Sequence, residues 1–211
     1  MIVILMGAPG AGKGTQAEYL RTKKSFLKIS TGDLFRREIA LKTELGMQVE
    51  GIINQGGFVS DEILLQIMKN ELDACKSHDV VLDGFPRTVR QAEWLVQNSS
   101  VSGVIHIDVE RDELVARIEG RLICTQCEAV YQATRKPPLR AGWCDRCGNA
   151  LKAREDDSYE RVLHRLDVYM QQTEPVLEFF KQKKQYFRLD GNCSEDTVSR
   201  QLDILLSKLG R

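Results

Sequence analysis

Gly7-Ala8-Pro9-Gly10-Ala11-Gly12-Lys13 spaces its residues as G-x-x-x-x-G-K, a pattern whose chemistry is the gripping of phosphate. Glycines let the backbone curl until several N–H groups face one anion. A helix beginning at the same point adds the positive end of its dipole. Lys13 supplies a mobile point charge for β- and γ-phosphates. One position departs from the general pattern. Gly14 stands where a Mg²⁺-binding hydroxyl is usual, and the hydroxyl comes one residue later, at Thr15. A magnesium ion then needs another protein group. Asp83 follows the apolar run Val80-Val81-Leu82 and offers a carboxylate at a strand end. It suits Mg²⁺ held through waters, since that cation dehydrates reluctantly.

Arginines extend the theme. Arg36, Arg87, Arg117, Arg121, Arg154 and Arg165 each fall near a loop or the end of a predicted element. Guanidinium groups suit planar, bidentate contact with phosphate. A kinase acting on a hydroxyl needs a general base. One acting on a phosphate does not, because that acceptor is already largely dianionic near neutrality. Its difficulty is repulsion between two anions, which several guanidiniums answer.

Four of the six cysteines form two C-x-x-C pairs, Cys124-x2-Cys127-x16-Cys144-x2-Cys147, and Cys75 and Cys193 stand alone. The spacing is that of a closed four-thiolate metal site, with zinc or iron as the ion. No ligand position is left open, so the role is structural. The surrounding segment offers few large apolar residues, mainly Leu122, Ile123, Val130, Tyr131, Leu139, Trp143 and Leu151. Burial alone does not hold so small a unit, and a metal staples it.

These groups need a frame. Apolar runs at Ile2 to Met6, Phe26 to Ile29, Val80 to Leu82, Gly103 to Val109 and Tyr186 to Leu189 read as five strands. Helical patterns run from Thr15 to Lys24, through Leu34, Phe35 and Ile39, from Leu45 to Asn54 and from Ser60 to Cys75. Others cover Thr88 to Gln97, Arg111 to Gly120, the region after Asp157 with Pro175 as a kink or break, and Ser194 to Leu209. Ser30 and Ser60 are cap residues, and Gln55 to Val59 is a turn. Alternating strands and helices argue a three-layer α/β fold around a parallel sheet, with ligands at the carboxyl ends of its strands. Two stretches interrupt the rhythm, Ser30 to Val59 and Gly120 to Asp157.

The 211 residues are 42% hydrophobic and 28% charged, with 30 basic and 30 acidic side chains. The balance gives no bulk charge for nucleic acid or a membrane surface. The N-terminal apolar run is short and lacks a basic flank, and no stretch is long enough to span a bilayer, so a cytoplasmic enzyme is expected. His78, His106 and His164 do not cluster, and Cys75, Trp94 and Trp143 read as packing residues.

GAPGAGKGTQ, STGD at Ser30 to Asp33, and LDGFPRT at Leu82 to Thr88 followed by Gln91 resemble the adenylate kinases of the nucleoside monophosphate kinase family. The likeness continues through Asp112 to Arg121, Arg154-Glu155-Asp156-Asp157 to Arg165, and Asp190-Gly191. It implies Mg²⁺-dependent, reversible conversion of ATP and AMP to two ADP, serving adenine nucleotide homeostasis and AMP salvage. It implies a P-loop core at 1–29, 60–119 and 158–211, an inserted AMP-binding segment at 30–59, and an inserted lid at 120–157. Zinc-bearing lids occur in some bacterial members. By the same resemblance Gly10, Ala11, Gly12, Lys13, Gly14 and Thr15 grip ATP, Arg117 stacks on its adenine, and Val130, Tyr131 and Cys193 match further ATP contacts. Thr31, Arg36, Gly57, Phe58, Val59, Gly84, Phe85, Pro86, Arg87 and Gln91 form the AMP site, with Gln91 reading the base and Pro86 at a position commonly cis. Arg121, Arg154 and Arg165 close over the phosphates near Asp156 and Asp157. Lys13, Asp83, Arg87, Arg121, Arg154 and Arg165 are the catalytic set.

Two rival readings remain at this level. One is another small kinase on the same fold, a uridylate/cytidylate kinase or a GTP-dependent AMP kinase. Thr31 and Gln91 favour adenine at the acceptor site and the cysteine-bearing lid argues against the short-lid pyrimidine enzymes, while the donor base stays open. The other is a nucleotide-gated nucleic-acid-binding module, which the neutral charge and sparse basic and aromatic content of the cysteine segment disfavour. A monomer is expected, because lids must swing freely.

Overall fold

The computed structural model describes residues 1–54, 59–127, 129–134, 136–153 and 157–210. In chain order the strands are β1 (Ile2–Met6), β2 (Leu27–Ser30), β3 (Val80–Asp83), β4 (Val101–Asp108), β5 (Arg121–Cys124), β6 (Val130–Gln132), β7 (Leu151–Ala153) and β8 (Tyr186–Asp190). Five of them form the expected parallel sheet, in the order β2-β3-β1-β4-β8.

Central β1 is apolar on both faces, as a strand covered from both sides must be. Its side chains alternate. Ile4 and Met6 join Leu82 and Val104 in one core, and Val3 and Leu5 join Val81 and Ile105 in the other. The first core is roofed by α4 (Asp61–Ala74), α5 (Val89–Asn98) and α8 (Glu174–Gln182), through Met68, Leu95 and Phe180. The second is covered by α1 (Lys13–Lys23) and α9 (Glu195–Leu209), through Ala17, Leu20 and Leu202. Helix α6 (Arg111–Glu119) and helix α7 (Tyr159–Val168) build a third cluster around Ile107, Ile118 and Val162. Helices α2 (Thr31–Ala40) and α3 (Glu44–Asn54) occupy the first interruption. None of the described helices is long and apolar enough to cross a membrane.

The chain leaves β1 for one face through α1 and leaves β3 for the other through α5. Diverging connections open a crevice at the carboxyl ends of adjacent strands. The register Leu5↔Asp83 and Ser30↔Asp83 brings the ends of β1, β3 and β2 level there.

Helix α1 starts at Lys13, two residues before the expected Thr15, because Gly12 takes a left-handed conformation (φ 94°) as its N-cap. Ser30, Ser60, Thr88 and Ser194 accept backbone N–H bonds as side-chain caps. The break near Pro175 takes the form of a π-helical turn at Tyr169–Thr173 between α7 and α8. Proline lacks an N–H and its ring crowds the carbonyl four residues back, here that of Gln171. Within the cysteine segment, where no element was expected, β6, β5 and β7 form a three-stranded antiparallel sheet. Strands of three or four residues carry too few alternations to register as a period.

Gly7 has φ 147°, and a Cβ placed there would stand 2.5 Å from the backbone oxygen of Ile107. Gly7→Ala is expected to lose about 1–3 kcal/mol through backbone strain, with the clash adding to it. Urea unfolding measures this. A change below about 0.5 kcal/mol, the range of neutral surface substitutions, would show that the loop tolerates a side chain.

Candidate active site and metal centre

The phosphate loop runs from β1 into α1. Gly7, Gly10 and Gly12 all have positive φ, so the expected curl is built from glycine. The Lys13 ammonium donates to the carbonyls of Gly7 at 2.7 Å and Ala8 at 3.0 Å. Burial pushes its pKa down to about 8, Arg87, Arg165 and Arg121 push the same way, and Asp83 opposes them. Five of the six residues expected to do chemistry therefore share one electrostatic neighbourhood. Asp83 Oδ2 lies 3.5 Å from where a Cβ on Gly14 would sit. The carboxylate thus occupies the neighbourhood of the absent hydroxyl.

On the other side of the crevice, the turn after β3 is tied to its surroundings by polar contacts. Thr31, buried at the start of α2, donates from Oγ1 to the Gly84 carbonyl at 3.1 Å, and Arg87 Nε donates to the same oxygen at 2.8 Å. The Phe85–Pro86 bond is cis. Phe85 is buried and packs edge-to-face on Trp94. Gln91, buried on α5, accepts the Arg87 N–H on Oε1 at 2.7 Å and donates from Nε2 to Asp61 Oδ1 at 2.6 Å. Arg36 does not join this group. It is exposed and pairs with Asp33, which also binds Lys28 at 2.7 Å. Burial pushes the Asp33 carboxyl up, but Lys28 and Arg36 outweigh it and hold it below the usual range. Val59 is half-buried ahead of Ser60. Gly57, Phe58 and Arg154 lie outside the described residues, as do Asp156 and most of the turn expected at Gln55 to Val59.

Arg121, at the start of β5, grips Asp157 in a two-pronged pair through Nε and Nη2, and Arg165 on α7 reaches the same carboxylate at 3.3 Å. The Asp157 side chain is only 6% exposed, so both guanidiniums converge on one buried anion. Arg117, on α6, binds Glu113 at 2.7 Å and the Gly191 carbonyl at 2.7 Å. Cys193 lies in that same turn after β8, with its sulfur 3.5 Å from Asp190. Val130 is exposed, whereas the Tyr131 side chain is buried against Cys144 and its oxygen accepts the Asp145 N–H at 2.8 Å. His106 is half-buried and hydrogen-bonded with the Tyr186 hydroxyl at 2.8 Å. Trp143, expected to pack, is 42% exposed with Arg140 over its ring.

The four cysteine sulfurs all lie within 4.8 Å of one another. A tetrahedral zinc site with bonds of about 2.3 Å has sulfur–sulfur edges of about 3.8 Å, so the cluster is sized for one ion. The Tyr131 hydroxyl also lies 3.5 Å from Cys144 Sγ, and the Asn149 side-chain amide donates to Cys147 Sγ at 3.7 Å. Such donors stabilise thiolates and orient ligands. At Cys144 burial pushes the pKa up, but hydrogen bonds led by Tyr131 outweigh it and bring it to about 6. Apolar support is slight: among the described residues Tyr131 is the one large buried side chain beside Cys124 and Cys144. The donor set and its surroundings fit a structural zinc ion.

Missing from the sequence reading was Asp61 as a partner of Gln91. It was legible only as an acid in the first turn of α4, and nothing in its 30-residue separation from Gln91 signals contact.

Replacing Cys144 with Ser is expected to lower bound metal, measured by elemental analysis, from about one ion per chain and to lower the melting temperature of 120–157. Unchanged metal content would remove the cluster as the site. Protonated Lys13 is the form that attracts phosphate, and its pKa lies near 8. Phosphate-ligand affinity is therefore expected to fall as pH rises through about 8, by calorimetry, and Lys13→Met to lack that limb. The same limb in Lys13→Met would assign it to another group.

The adenylate kinase family model matches residues 5–185. An adenylate kinase of Clostridium tetani is 42% identical over 216 residues, covering 99% of this chain and 100% of that protein. One of Finegoldia magna is 42% identical over 215 residues, with coverage of 99% and 100%. One of Methanocella arvoryzae is 40% identical over 216 residues, with the same coverage. The span of the family model and these full-length likenesses show that the chain belongs to the adenylate kinase family.

Proposed function

We propose that the chain transfers the terminal phosphoryl group of ATP reversibly to AMP, giving two ADP. The observation that carries this is the gathering of Lys13, Arg87, Arg121 and Arg165 around one crevice with Asp83. In-line transfer between two anionic phosphates needs dispersed positive charge more than it needs a base.

Gly10 to Thr15 hold the donor phosphates, and Lys13 exchanges its carbonyl partners for them. Asp83 would hold the Mg²⁺ that accompanies ATP, through water, and the ion would offset phosphate charge. Arg117, the turn at Cys193, and Val130 with Tyr131 flank the donor base. Thr31, Arg36, Gly57 to Val59, Gly84 to Arg87 and Gln91 hold AMP. Arg121, Arg154 and Arg165 turn to the transferring group, with Arg121 and Arg165 released from Asp157 as phosphate replaces the carboxylate. Residues 30–59 and 120–157 are the moving segments that exclude water, and 1–29, 60–119 and 158–211 are the core. The cysteine ion is zinc, with iron the alternative for the same four thiolates. The enzyme works as a cytoplasmic monomer on small nucleotides, with no nucleic acid or membrane partner.

A coupled assay for ADP from ATP and AMP tests the reading. AMP is expected to outperform UMP, CMP and GMP as acceptor, and ATP to outperform GTP as donor. Lys13→Met is expected to lower turnover by about two orders of magnitude or more with an unchanged circular dichroism spectrum. Faster phosphorylation of UMP or CMP than of AMP would replace this reading with a pyrimidine nucleotide kinase.

A further inference from the structure

The amide of Gln91 is fixed at both ends. Its oxygen takes the Arg87 N–H at 2.7 Å and its nitrogen gives a proton to Asp61 at 2.6 Å. The oxygen and nitrogen of a side-chain amide are nearly the same size, so a glutamine in a pocket can ordinarily present either way round. Here both partners have fixed polarity. A backbone N–H can only donate, and a carboxylate can only accept. Reversing the amide would set N–H against N–H and oxygen against oxygen. Gln91 is 4% exposed, so water does not repair the mismatch, and each unsatisfied buried group is costly.

The locked amide still has one N–H and one oxygen lone pair unspent. An adenine edge carries an amino donor beside a ring-nitrogen acceptor. A 6-oxopurine edge carries an oxygen acceptor beside a ring N–H donor. The two bases are nearly isosteric and opposite in polarity, so the orientation of one amide separates them.

We propose that Asp61 is a positioning residue that determines acceptor specificity: it holds the Gln91 amide in the orientation that matches adenine and opposes 6-oxopurines. This rests on the reading above, in which Gln91 faces the acceptor base. Of the two locks, the Arg87 N–H belongs to the backbone and cannot be changed by substitution. Asp61 is the lock that a side chain supplies. Asparagine at position 61 can donate or accept, so it follows the amide whichever way it turns. The Arg87 N–H still favours the original orientation, so preference weakens without inverting.

The test compares AMP with inosine monophosphate as acceptors, through the ratio of their kcat/KM values. Both are measured on the same preparation, so a reduced folded fraction cancels. Asp61→Asn is expected to lower the AMP preference by about tenfold, the scale of one good hydrogen-bond discrimination, with part of the change a gain toward inosine monophosphate. Asp61→Ser, whose hydroxyl donates and accepts and suits a helix start, is expected to do the same. Asp61→Glu keeps the carboxylate and is expected to hold the ratio within about threefold. An unchanged ratio in both Asp61→Asn and Asp61→Ser, in enzymes that still phosphorylate AMP, overturns the inference. A wild-type chain with no preference for AMP over inosine monophosphate overturns instead the assignment of Gln91 to the acceptor base.

Discussion

The arrangement depends on keeping like charges together. Lys13, Arg87, Arg121 and Arg165 act on one another across the crevice, and cations at such range repel. The fold restrains them with its own acceptors. Two loop carbonyls hold Lys13 and one buried carboxylate holds Arg121 and Arg165. Asp157 is thus an internal anion in a place where substrate anions are expected. Breaking such a buried pair one-sidedly is costly, so the cations are held ready rather than left loose. In the proposed reaction phosphate binding is an exchange of acceptors, and affinity would report the difference between them.

The sheet makes this concentration possible. Level ends of β1, β2 and β3 bring Lys13, Asp83 and Thr31 to one edge, while the diverging α1 and α5 leave space between them. Much of this was legible in the sequence because its signals are local. A β-branched run followed by spaced glycines and a lysine states strand, loop and helix within sixteen residues. Ser30 and Ser60 announce helix starts by chemistry that acts over three residues. The two C-x-x-C pairs announce a tetrahedral cage because each pair closes a tight turn.

What was not legible depends on residues far apart in the chain. Asp61 and Gln91 meet only because α4 and α5 lie on the same face of the sheet. The small sheet of β5, β6 and β7 forms because the cysteine turns bring short segments into register, and segments that short have no period of their own. Tyr131, expected by resemblance to contact ATP, is buried, and its ring joins the few apolar contacts around Cys124 and Cys144. Arg36, expected at the acceptor site, pairs locally with Asp33 three residues earlier, a contact it would exchange for phosphate in the proposed reaction.

The π-helical turn at Tyr169–Thr173 carries a further consequence, one of angular phase. An α-helix advances about 100° per residue, so a turn that holds one extra residue rotates everything after it by about that angle. Before the turn, α7 points Arg165 at Asp157 and Val162 and Leu166 into the cluster around Ile107. After it, α8 points Val176, Leu177 and Phe180 into the core beneath β1 and β4. Val162 and Phe180 stand about five α-helical turns apart, so an uninterrupted helix would give them one angular position; the extra residue offsets them, and they enter different clusters. The segment is thereby constrained in length more tightly than in identity. A change of side chain leaves the rotation intact, whereas the loss of one residue would turn the Phe180 face out of the core.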